Sequence, residues 1–256
     1  MPSRRVLLLG ERVSGSLSPA MQDAAFSALG LDCKYLPSEL NGDALPEAIA
    51  GIAGDVRILG ANVTIPHKEA VLPLLDHLDP LAERIGAVNT ISRYGNGLKG
   101  WNTDVEGFRR ALRECGYTVE GKAVAILGAG GAARAVAAAL AESVAQLFIV
   151  ARNREQAVRL QADLRLAQAH ALDMRDSTDA VALADVVVNA TPADLPIASS
   201  LQARQQWFDL RSRRSPEGRA MLLHQGAASF TIWTGRAAPI EAMRLALERA
   251  VVAVRA

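Results

Sequence analysis

The sequence predicts an α/β protein of two domains, and three observations support this. The chain has 256 residues, which is enough for two ordinary domains with substantial cores. Short apolar segments of strand length alternate along it with longer segments whose apolar residues have helical spacing. Near its middle, residues 122–135 (KAVAILGAGGAARA) join an apolar strand, a glycine turn and an alanine-rich helix.

The composition is that of an ordinary globular protein. Half of the residues are hydrophobic, 21% are charged and the formal net charge is +1, which does not favour nucleic acid as a partner. Cys33 and Cys115 lie far apart without metal-ligand spacing, so we expect reduced thiols and no metal site. The apolar run at residues 6–9 is too short for a signal peptide or a membrane span. We therefore expect a cytoplasmic protein that does not engage a membrane.

The first part of the chain places two serines at the start of a helix. Ser18 and Pro19 predict the N-cap and first turn of a helix that stops at Gly30. Ser18 is then a structural cap, or else Ser16 and Ser18 form a hydroxyl pair that binds a substrate carboxylate beside the helix amides. The flanking apolar segments predict strands at residues 6–9 and 34–37 and a helix at residues 43–52.

Residues 56–75 predict a strand followed by a helix that begins at Pro66. The two-residue period of a strand places Asn62 and Thr64 on one face. Lys68 falls in the first helical turn, where a cation faces the positive end of the helix dipole. A solvated surface lysine is the ordinary alternative to a catalytic role.

Two further segments carry small polar residues at the ends of predicted strands. They are residues 86–90 (GAVNT) and 100–104 (GWNTD), which present Asn89 and Asp104. Polar side chains at strand ends are where α/β sheets usually bind ligands, although asparagine and aspartate also serve in turns. Asp104 also predicts the start of a helix over residues 105–115, and we place the first domain boundary there.

The glycine turn predicts a Rossmann-like nucleotide-binding unit. A strand at residues 123–127 and a helix at residues 132–140 flank it, and the glycines let the backbone approach a pyrophosphate at the helix N-terminus. The predicted cofactor contacts are Gly128, Ala129, Gly130, Gly131 and Ala132.

The next strand, at residues 146–150, indicates which dinucleotide is bound. An NAD site has an acidic residue at the end of this strand, but here the position belongs to Arg152, with Arg154 close by. Because a guanidinium matches a 2'-phosphate, we predict NADP(H) rather than NAD(H). Two surface arginines at a helix start are the alternative.

The remaining chain continues the alternation of strands and helices. Strands are predicted at residues 169–172, 185–190 and 207–210, and Thr191 follows the second of them in a loop expected near the cofactor. Residues 220–230 predict a helix and residues 231–235 a link. The last helix has apolar residues at helical spacing, namely Ile240, Met243, Leu247, Val251 and Val254.

Taken together, these motifs resemble the shikimate dehydrogenase family over nearly the whole chain. The matching stretches are SLSP at residues 16–19, GANVTIPHK at 60–68, GAVNT at 86–90, NTDVEGF at 102–108, GAGGAARA at 128–135 and MLLHQGAASFTIWTG at 221–235.

The resemblance implies an NADP-dependent interconversion of 3-dehydroshikimate and shikimate, a small polyhydroxylated cyclic carboxylic acid. It implies that Lys68 and Asp104 are the catalytic pair and that Ser16 and Ser18 bind the carboxylate. The implied contacts to the substrate hydroxyls are Asn62, Thr64, Asn89 and Gln225.

The resemblance also implies an architecture. A substrate domain at residues 1–104 is completed by the helix at residues 237–256, a Rossmann-like NADP-binding domain takes residues 105–236, and a cleft separates them. We further expect cofactor contacts from Asn153, Thr191, Leu210 and Gly218, and a monomer or homodimer.

The chain departs from the family pattern after Asp209. Ser212 stands where the family has a tyrosine that contacts the substrate, and the segment that normally follows is shortened near residues 213–218. A dehydrogenase of quinate or another shikimate analogue, and a non-catalytic NADP-binding sensor, are therefore the alternatives. Retention of Lys68 and Asp104 argues against the sensor, and serine at Ser18 favours shikimate.

Overall fold

The computed structural model describes residues 3–255 and divides the chain into two compact units. Unit 1 runs to Gly107 and resumes at Leu222, and unit 2 is Phe108–Met221. These boundaries differ from the expected ones at residues 104/105 and 236/237. Of the expected domain ranges, residues 1, 2 and 256 lie outside the described residues.

Unit 1 is built on a six-stranded mixed sheet. Its strands are β1 (Arg4–Gly10), β2 (Cys33–Glu39), β3 (Ile58–Val63), β4 (His77–Leu78), β5 (Thr90–Tyr94) and β6 (Gly97–Trp101), in the spatial order β2-β1-β3-β5-β6-β4. β1 pairs in parallel with β2 and β3, while β5 runs antiparallel to β3 and β6. The C-terminal ends of β1 and β3 therefore share an edge with the start of β5 and the end of β6.

Helices cover both faces of this sheet. They are α1 (Ser18–Ala28), α2 (Leu45–Gly54), α3 (Pro80–Ile85), the C-terminal part of α8 (Pro216–Thr234) and α9 (Ile240–Arg255). Along β1, Val6 and Leu8 point to a core with α1, α8 and α9, whereas Leu9 points to a second core with α2. This alternation follows the two-residue period of a strand.

Unit 2 is a parallel, doubly wound sheet. Its strands are β7 (Ala123–Leu127), β8 (Gln146–Ala151), β9 (Ala169–Asp173), β10 (Val186–Asn189) and β11 (Gln206–Asp209), in the order β11-β10-β7-β8-β9. Its helices are α4 (Asp104–Glu114) from Phe108 onward, α5 (Gly131–Leu140), α6 (Arg154–Asp163), α7 (Ser177–Leu183) and the first turns of α8. The strand order reverses between β7 and β10, which is the arrangement of a Rossmann-like fold. The predicted fold class is confirmed.

The predicted helix at Pro66 is wrong. Turns follow β3 and end in a short 3-10 helix, Leu72–Leu74. The Lys68 carbonyl accepts the Val88 amide at 2.8 Å, so it is not available to a helical ladder. Pro73 has no N–H for the Glu69 carbonyl, which accepts the Leu72 amide instead.

Two other element boundaries differ from the prediction. Residues 86–89 are not a strand: Gly86 ends α3 in the left-handed conformation with φ 69°, and β5 begins at Thr90. The segment predicted as a link continues α8 to Thr234, because Trp233 is buried and its indole N–H donates to the Ile91 carbonyl at 2.9 Å. Residues 222–234 thereby pack in unit 1.

No helix within residues 3–255 combines the length and the apolar character needed to cross a membrane. In the same part of the chain, no group of three or more His, Cys, Asp or Glu side chains is placed to hold a metal ion.

Candidate active site

The predicted substrate residues of unit 1 gather at the edge where β1 and β3 end. Ser16 and Ser18 follow β1, and Lys68 lies in the turns after β3. Asn89 immediately precedes β5, and Asp104 begins α4 after β6. The parallel and antiparallel pairings of the sheet bring these sequence-distant positions to one place.

Lys68 and Asp104 form a close, largely buried ion pair. Lys68 Nζ donates to Asp104 Oδ2 at 2.6 Å, and the two side chains are 13% and 6% exposed. Such a charge-assisted bond fixes the ammonium and leaves its other N–H groups for a ligand. The argument from a helix dipole at Lys68 does not apply, since no helix begins there, and the position of this lysine is set by Asp104.

Asn89 holds the other carboxylate oxygen of Asp104. Its Nδ2 donates to Asp104 Oδ1 at 2.9 Å and to Thr103 Oγ1 at 2.8 Å. Its Oδ1 accepts the Thr103 backbone N–H at 2.8 Å. Because a backbone N–H can only donate and a carboxylate accepts, these two neighbours define which end of the Asn89 amide is oxygen.

Asn62 is engaged by the protein at both ends of its amide. Its Oδ1 accepts the Tyr35 hydroxyl at 2.8 Å, and its Nδ2 lies 3.0 Å from the Asn89 carbonyl and 3.0 Å from Thr90 Oγ1. Burial raises the pKa of the Tyr35 phenol well above its ordinary value, although a hydrogen bond from Ser18 partly offsets this. Tyr35 is therefore a neutral donor that links Ser18 to Asn62.

Sequence reasoning missed four buried residues of this network. Tyr35, Thr90, Thr103 and Ser229 connect the predicted residues to one another by hydrogen bonds. Thr90 and Thr103 lie next to Asn89 and Asp104 in the motifs already noted. Ser229 lies one helical turn after Gln225, so helical spacing is the signal that could have found it.

The loop before α1, residues 11–17, which we call the serine loop, is fixed by hydrogen bonds to the carboxylate of Glu39. Glu39 Oε1 accepts the amides of Val13 at 2.9 Å and Ser14 at 2.8 Å. Ser16 Oγ accepts the Ser18 amide at 3.1 Å, while Leu17 takes the N-cap position of α1 without a side-chain cap. The predicted capping role of Ser18 is wrong, because Leu17 is the N-cap and Ser18 is the first residue of the helix.

Thr64 and Gln225 occupy the margins of the network. Gln225 Oε1 lies 3.3 Å from Asn89 Nδ2, and its Nε2 donates to the Leu222 carbonyl at 3.0 Å. Thr64 is half-buried just beyond β3, and its methyl faces Gly10, where an added Cβ would lie 2.5 Å away. Thr64 is the predicted substrate residue that makes no side-chain hydrogen bond within residues 3–255.

In unit 2 the glycine turn lies where a pyrophosphate would fit. Gly128 has φ 122°, and an added Cβ would lie 3.2 Å from the Ala190 carbonyl oxygen and the Thr191 methyl. Gly130 is the N-cap of α5 and supplies no side chain to its first amides. Those amides remain available to an anion at the positive end of the helix.

Arg152 follows β8 at the same edge of the sheet. It is exposed and forms no hydrogen bond or ion pair with any described residue, whereas Arg154 donates to the Ala171 carbonyl at 3.2 Å. Asn153 caps α6 by accepting the Glu155 amide at 2.9 Å. Arg152 is thus the uncommitted guanidinium of this pair, which suits a phosphate group.

The other predicted cofactor residues follow β10 and β11. Thr191 Oγ1 donates to Asn189 Oδ1 at 2.8 Å, and the Leu210 amide donates to the Asn189 carbonyl at 3.0 Å. Gly218 packs against the loop after β11, since an added Cβ would lie 2.7 Å from the Arg211 carbonyl carbon. Arg211 pairs with both Asp209 and Asp194, which ties that loop to the one after β10.

Three family models match the chain in succession. They are the shikimate dehydrogenase substrate binding domain at residues 8–91, shikimate / quinate 5-dehydrogenase at residues 110–214 and the shikimate 5'-dehydrogenase C-terminal domain at residues 218–248.

Individual relatives match over almost their full length. Shikimate dehydrogenase (NADP(+)) of Moorella thermoacetica is 42% identical, covering 96% of this chain and 93% of its own. The crystal structure of shikimate 5-dehydrogenase from Thermus thermophilus with NADP(H) and shikimate has a TM-score of 0.81 and 33% identity, covering 96% of this chain and 99% of that chain. Quinate dehydrogenase from Corynebacterium glutamicum with NAD has a TM-score of 0.80 and 28% identity, with coverage of 96% and 99%. On this similarity, the chain belongs to the shikimate dehydrogenase family.

Proposed function

We propose that this protein catalyses the NADP-dependent, reversible reduction of 3-dehydroshikimate to shikimate. The observation that carries the proposal is the 2.6 Å bond between Lys68 and Asp104, formed in a chain of this family. Its relatives include NADP(+)-dependent shikimate dehydrogenases and a structure that holds both shikimate and NADP(H). We assign substrate binding to unit 1 and NADP binding to unit 2.

The Lys68 ammonium is suited to handle the proton of this reaction. Reduction of a ketone needs a hydride at carbon, which NADPH supplies when bound, and a proton at oxygen. Lys68 Nζ donates that proton to the developing alkoxide, and it takes the proton back from the hydroxyl in the oxidation. Asp104 holds the ammonium in place and balances its charge.

The surrounding side chains suit a polyhydroxylated acid. We assign the substrate carboxylate to the hydroxyls of Ser16 and Ser18, and the ring hydroxyls to amides that both donate and accept. These contacts are Asn62, Thr64, Asn89 and Gln225. Of the four, Asn89 has the least capacity left, because both of its amide hydrogens are used and three donors approach its Oδ1. Asn62 keeps one lone pair on its Oδ1, since its amide hydrogens and the other lone pair are used within the protein.

The cofactor contacts are proposed from the fit of unit 2. The turn at residues 128–132 would hold the pyrophosphate, and Arg152 would bind the 2'-phosphate through charge-assisted bonds. Asn153, Thr191, Leu210 and Gly218 would complete the site from the ends of β8, β10 and β11.

A quinate dehydrogenase is the second candidate. It is favoured by the short connection between β11 and α8, in which Ser212 stands where a tyrosine was expected. Similarity of fold does not separate the two activities, since a quinate dehydrogenase aligns with this chain about as well as the shikimate enzyme does.

An activity assay decides between these candidates. Shikimate, quinate and their dehydro forms are each offered with each nicotinamide cofactor, and the absorbance of the reduced cofactor is followed. We expect the highest kcat/KM with shikimate and NADP+. Faster turnover of quinate would select the second candidate. Tight NADPH binding without turnover of any of these compounds would indicate a sensor and overturn the proposal.

Location and assembly are also proposed. Neither Cys33 nor Cys115 forms a disulfide within residues 3–255, which supports a reducing compartment such as the cytoplasm. We propose a monomer or homodimer, which sedimentation of the purified protein would distinguish from larger assemblies.

A further inference from the structure

Ser229 is a fully buried hydroxyl that the proposed reaction does not use. It lies on α8, and its Oγ donates to the Gln225 carbonyl at 3.0 Å, as serines within helices often do. The same oxygen lies 2.8 Å from Thr90 Oγ1, 3.1 Å from Thr103 Oγ1 and 3.1 Å from Asn62 Nδ2. The bond to the Gln225 carbonyl alone does not require these three further polar neighbours.

The reason for this arrangement lies in the number of donors around Asn89 Oδ1. Three donors approach that oxygen: the Thr103 amide at 2.8 Å, the Thr90 hydroxyl at 3.0 Å and the Thr103 hydroxyl at 3.1 Å. A carbonyl oxygen has two lone pairs, and the backbone amide must occupy one of them. One threonine hydroxyl is therefore left without a place on Asn89.

Ser229 Oγ is the acceptor available to that remaining hydroxyl. It lies within hydrogen-bonding distance of both threonines, so it can accept from whichever one Asn89 does not. The other acceptor for Thr90 is Thr103 Oγ1 at a longer 3.3 Å, and that oxygen already accepts from Asn89 Nδ2. With Ser229 present, every hydroxyl of the cluster has an acceptor at 3.1 Å or less.

Satisfying these hydroxyls fixes the Asn89 amide, which in turn fixes Asp104. If the excess hydroxyl competed for Asn89 Oδ1, the bond to the Thr103 amide would weaken and the side chain would turn. Asn89 Nδ2 would then leave Asp104 Oδ1, with which it now makes a 2.9 Å contact. Asp104 would no longer be oriented to hold Lys68.

We propose that Ser229 is a positioning residue for the Lys68–Asp104 pair, acting as the acceptor that leaves Asn89 free to orient Asp104. The inference rests on the proposed function, in which that pair transfers the proton. It predicts an effect on turnover from a side chain that has no place for substrate, because Ser229 is 0% exposed.

The test compares Ser229→Ala with a matched control on the same helix. Thr231 also bonds a helix carbonyl, Ala227 at 3.1 Å, but it is exposed and belongs to no cluster, so Thr231→Ala serves as the control. With shikimate and NADP+, we expect Ser229→Ala to lower kcat about 10-fold while KM changes less than about 2-fold, and Thr231→Ala to change neither. Unchanged kcat in Ser229→Ala would overturn the inference.

A second variant separates positioning from a general loss of packing. Thr90→Val removes the excess hydroxyl, so Thr103 alone can donate to Asn89 and no hydroxyl needs Ser229. We expect Thr90→Val/Ser229→Ala to recover most of the kcat lost in Ser229→Ala, because Thr103 is then the one hydroxyl that Asn89 Oδ1 must accept. In this variant Asn62 Nδ2 loses both hydroxyl oxygens and keeps the Asn89 carbonyl, a cost that we expect in the melting temperature. If the two losses multiply, the acceptor role is wrong.

An activity-independent measurement keeps this inference distinct from the proposed function. In ¹H–¹⁵N spectra of the full chain, the Asn89 side-chain amide protons should be protected from exchange and should lose protection in Ser229→Ala but not in Thr231→Ala. If the unmodified chain turns over none of the offered substrates, the proposed function fails while the spectra still decide the arrangement. Unaltered Asn89 signals in Ser229→Ala would overturn the positioning role.

Discussion

Replacing Lys68 by alanine should abolish most of the turnover while leaving the substrate bound. The variant removes the ammonium group that we propose as the proton donor, which lies 2.6 Å from Asp104 Oδ2. General acid–base catalysis contributes about 10²- to 10⁴-fold, which corresponds to about 2.7–5.4 kcal/mol at 1.36 kcal/mol per tenfold. The carboxylate contacts that we propose for Ser16 and Ser18 are left in place, so we expect KM for shikimate to rise less than about 5-fold.

Lys99 provides a matched control for this experiment. It is a lysine of unit 1 with similar side-chain exposure, 15%, and it also faces an aspartate, Asp79 at 3.8 Å. Lys99→Ala should therefore lose a longer ion pair, and its contacts with the Tyr94 and Trp101 rings, without losing turnover. Initial rates in both directions, with the melting temperature of each variant, separate chemistry from folding.

Asp104→Asn extends the test to the pair as a unit. It keeps an oxygen for Asn89 Nδ2 but removes the charge that holds Lys68. Since the two residues act together, kcat of Lys68→Ala/Asp104→Asn should lie within about 3-fold of kcat of Lys68→Ala alone. Turnover of Lys68→Ala within about 3-fold of the unmodified enzyme would refute the assignment.

Three further predictions concern the cofactor, the serine loop and the fold. Arg152→Ala should raise KM for NADPH about 10- to 100-fold with little change for NADH, and Arg154→Ala should not; equal effects on both cofactors would contradict the 2'-phosphate contact. Glu39→Gln should raise KM for shikimate by loosening the loop before Ser16. Hydrogen bonds from Ser14 and then Val13 lower the pKa of Glu39 in the folded protein. The ionised Glu39 therefore stabilises the fold above its unfolded pKa, and this stabilisation is lost as pH falls through its folded pKa. In denaturant titrations, the difference in free energy of unfolding between Glu39→Gln and the unmodified chain should be smaller in acid than at neutral pH. Gly60→Ala should cost about 3 kcal/mol or more, because its Cβ would overlap the Ile91 carbonyl oxygen, whereas Gly51→Ala, which meets nothing within 4 Å, should be tolerated in thermal melts.

Local patterns were sufficient where an element depends on its own residues. The strand at residues 123–127 was predicted with the bounds that the structure gives to β7. Its residues are uniformly apolar and Gly128 ends the run, so neither the type of the element nor its end depends on a distant contact.

Local sequence patterns failed where a residue distant in sequence determines the conformation or the role of a residue. Pro66 is a good helix start by sequence, yet the Lys68 carbonyl bonds the Val88 amide and no helix forms. In the site, Lys68, Asn89 and Asp104 were predicted because they stand in dense motifs. Ser229 was not, since its partner Thr90 lies 139 residues away and only the folded sheet brings the two hydroxyls to 2.8 Å.

The discontinuous course of unit 1 has a consequence for how the protein folds on the ribosome. The strands β1 to β6 are synthesised first. Residues 222–234 of α8 and the helix α9, which cover one face of their sheet, are synthesised last, after the whole of unit 2. Val6, Leu8 and Tyr35 belong to the core that those helices complete. We expect a chain truncated after residue 221 and released from the ribosome to carry a folded unit 2 and a protease-sensitive, chaperone-binding first half.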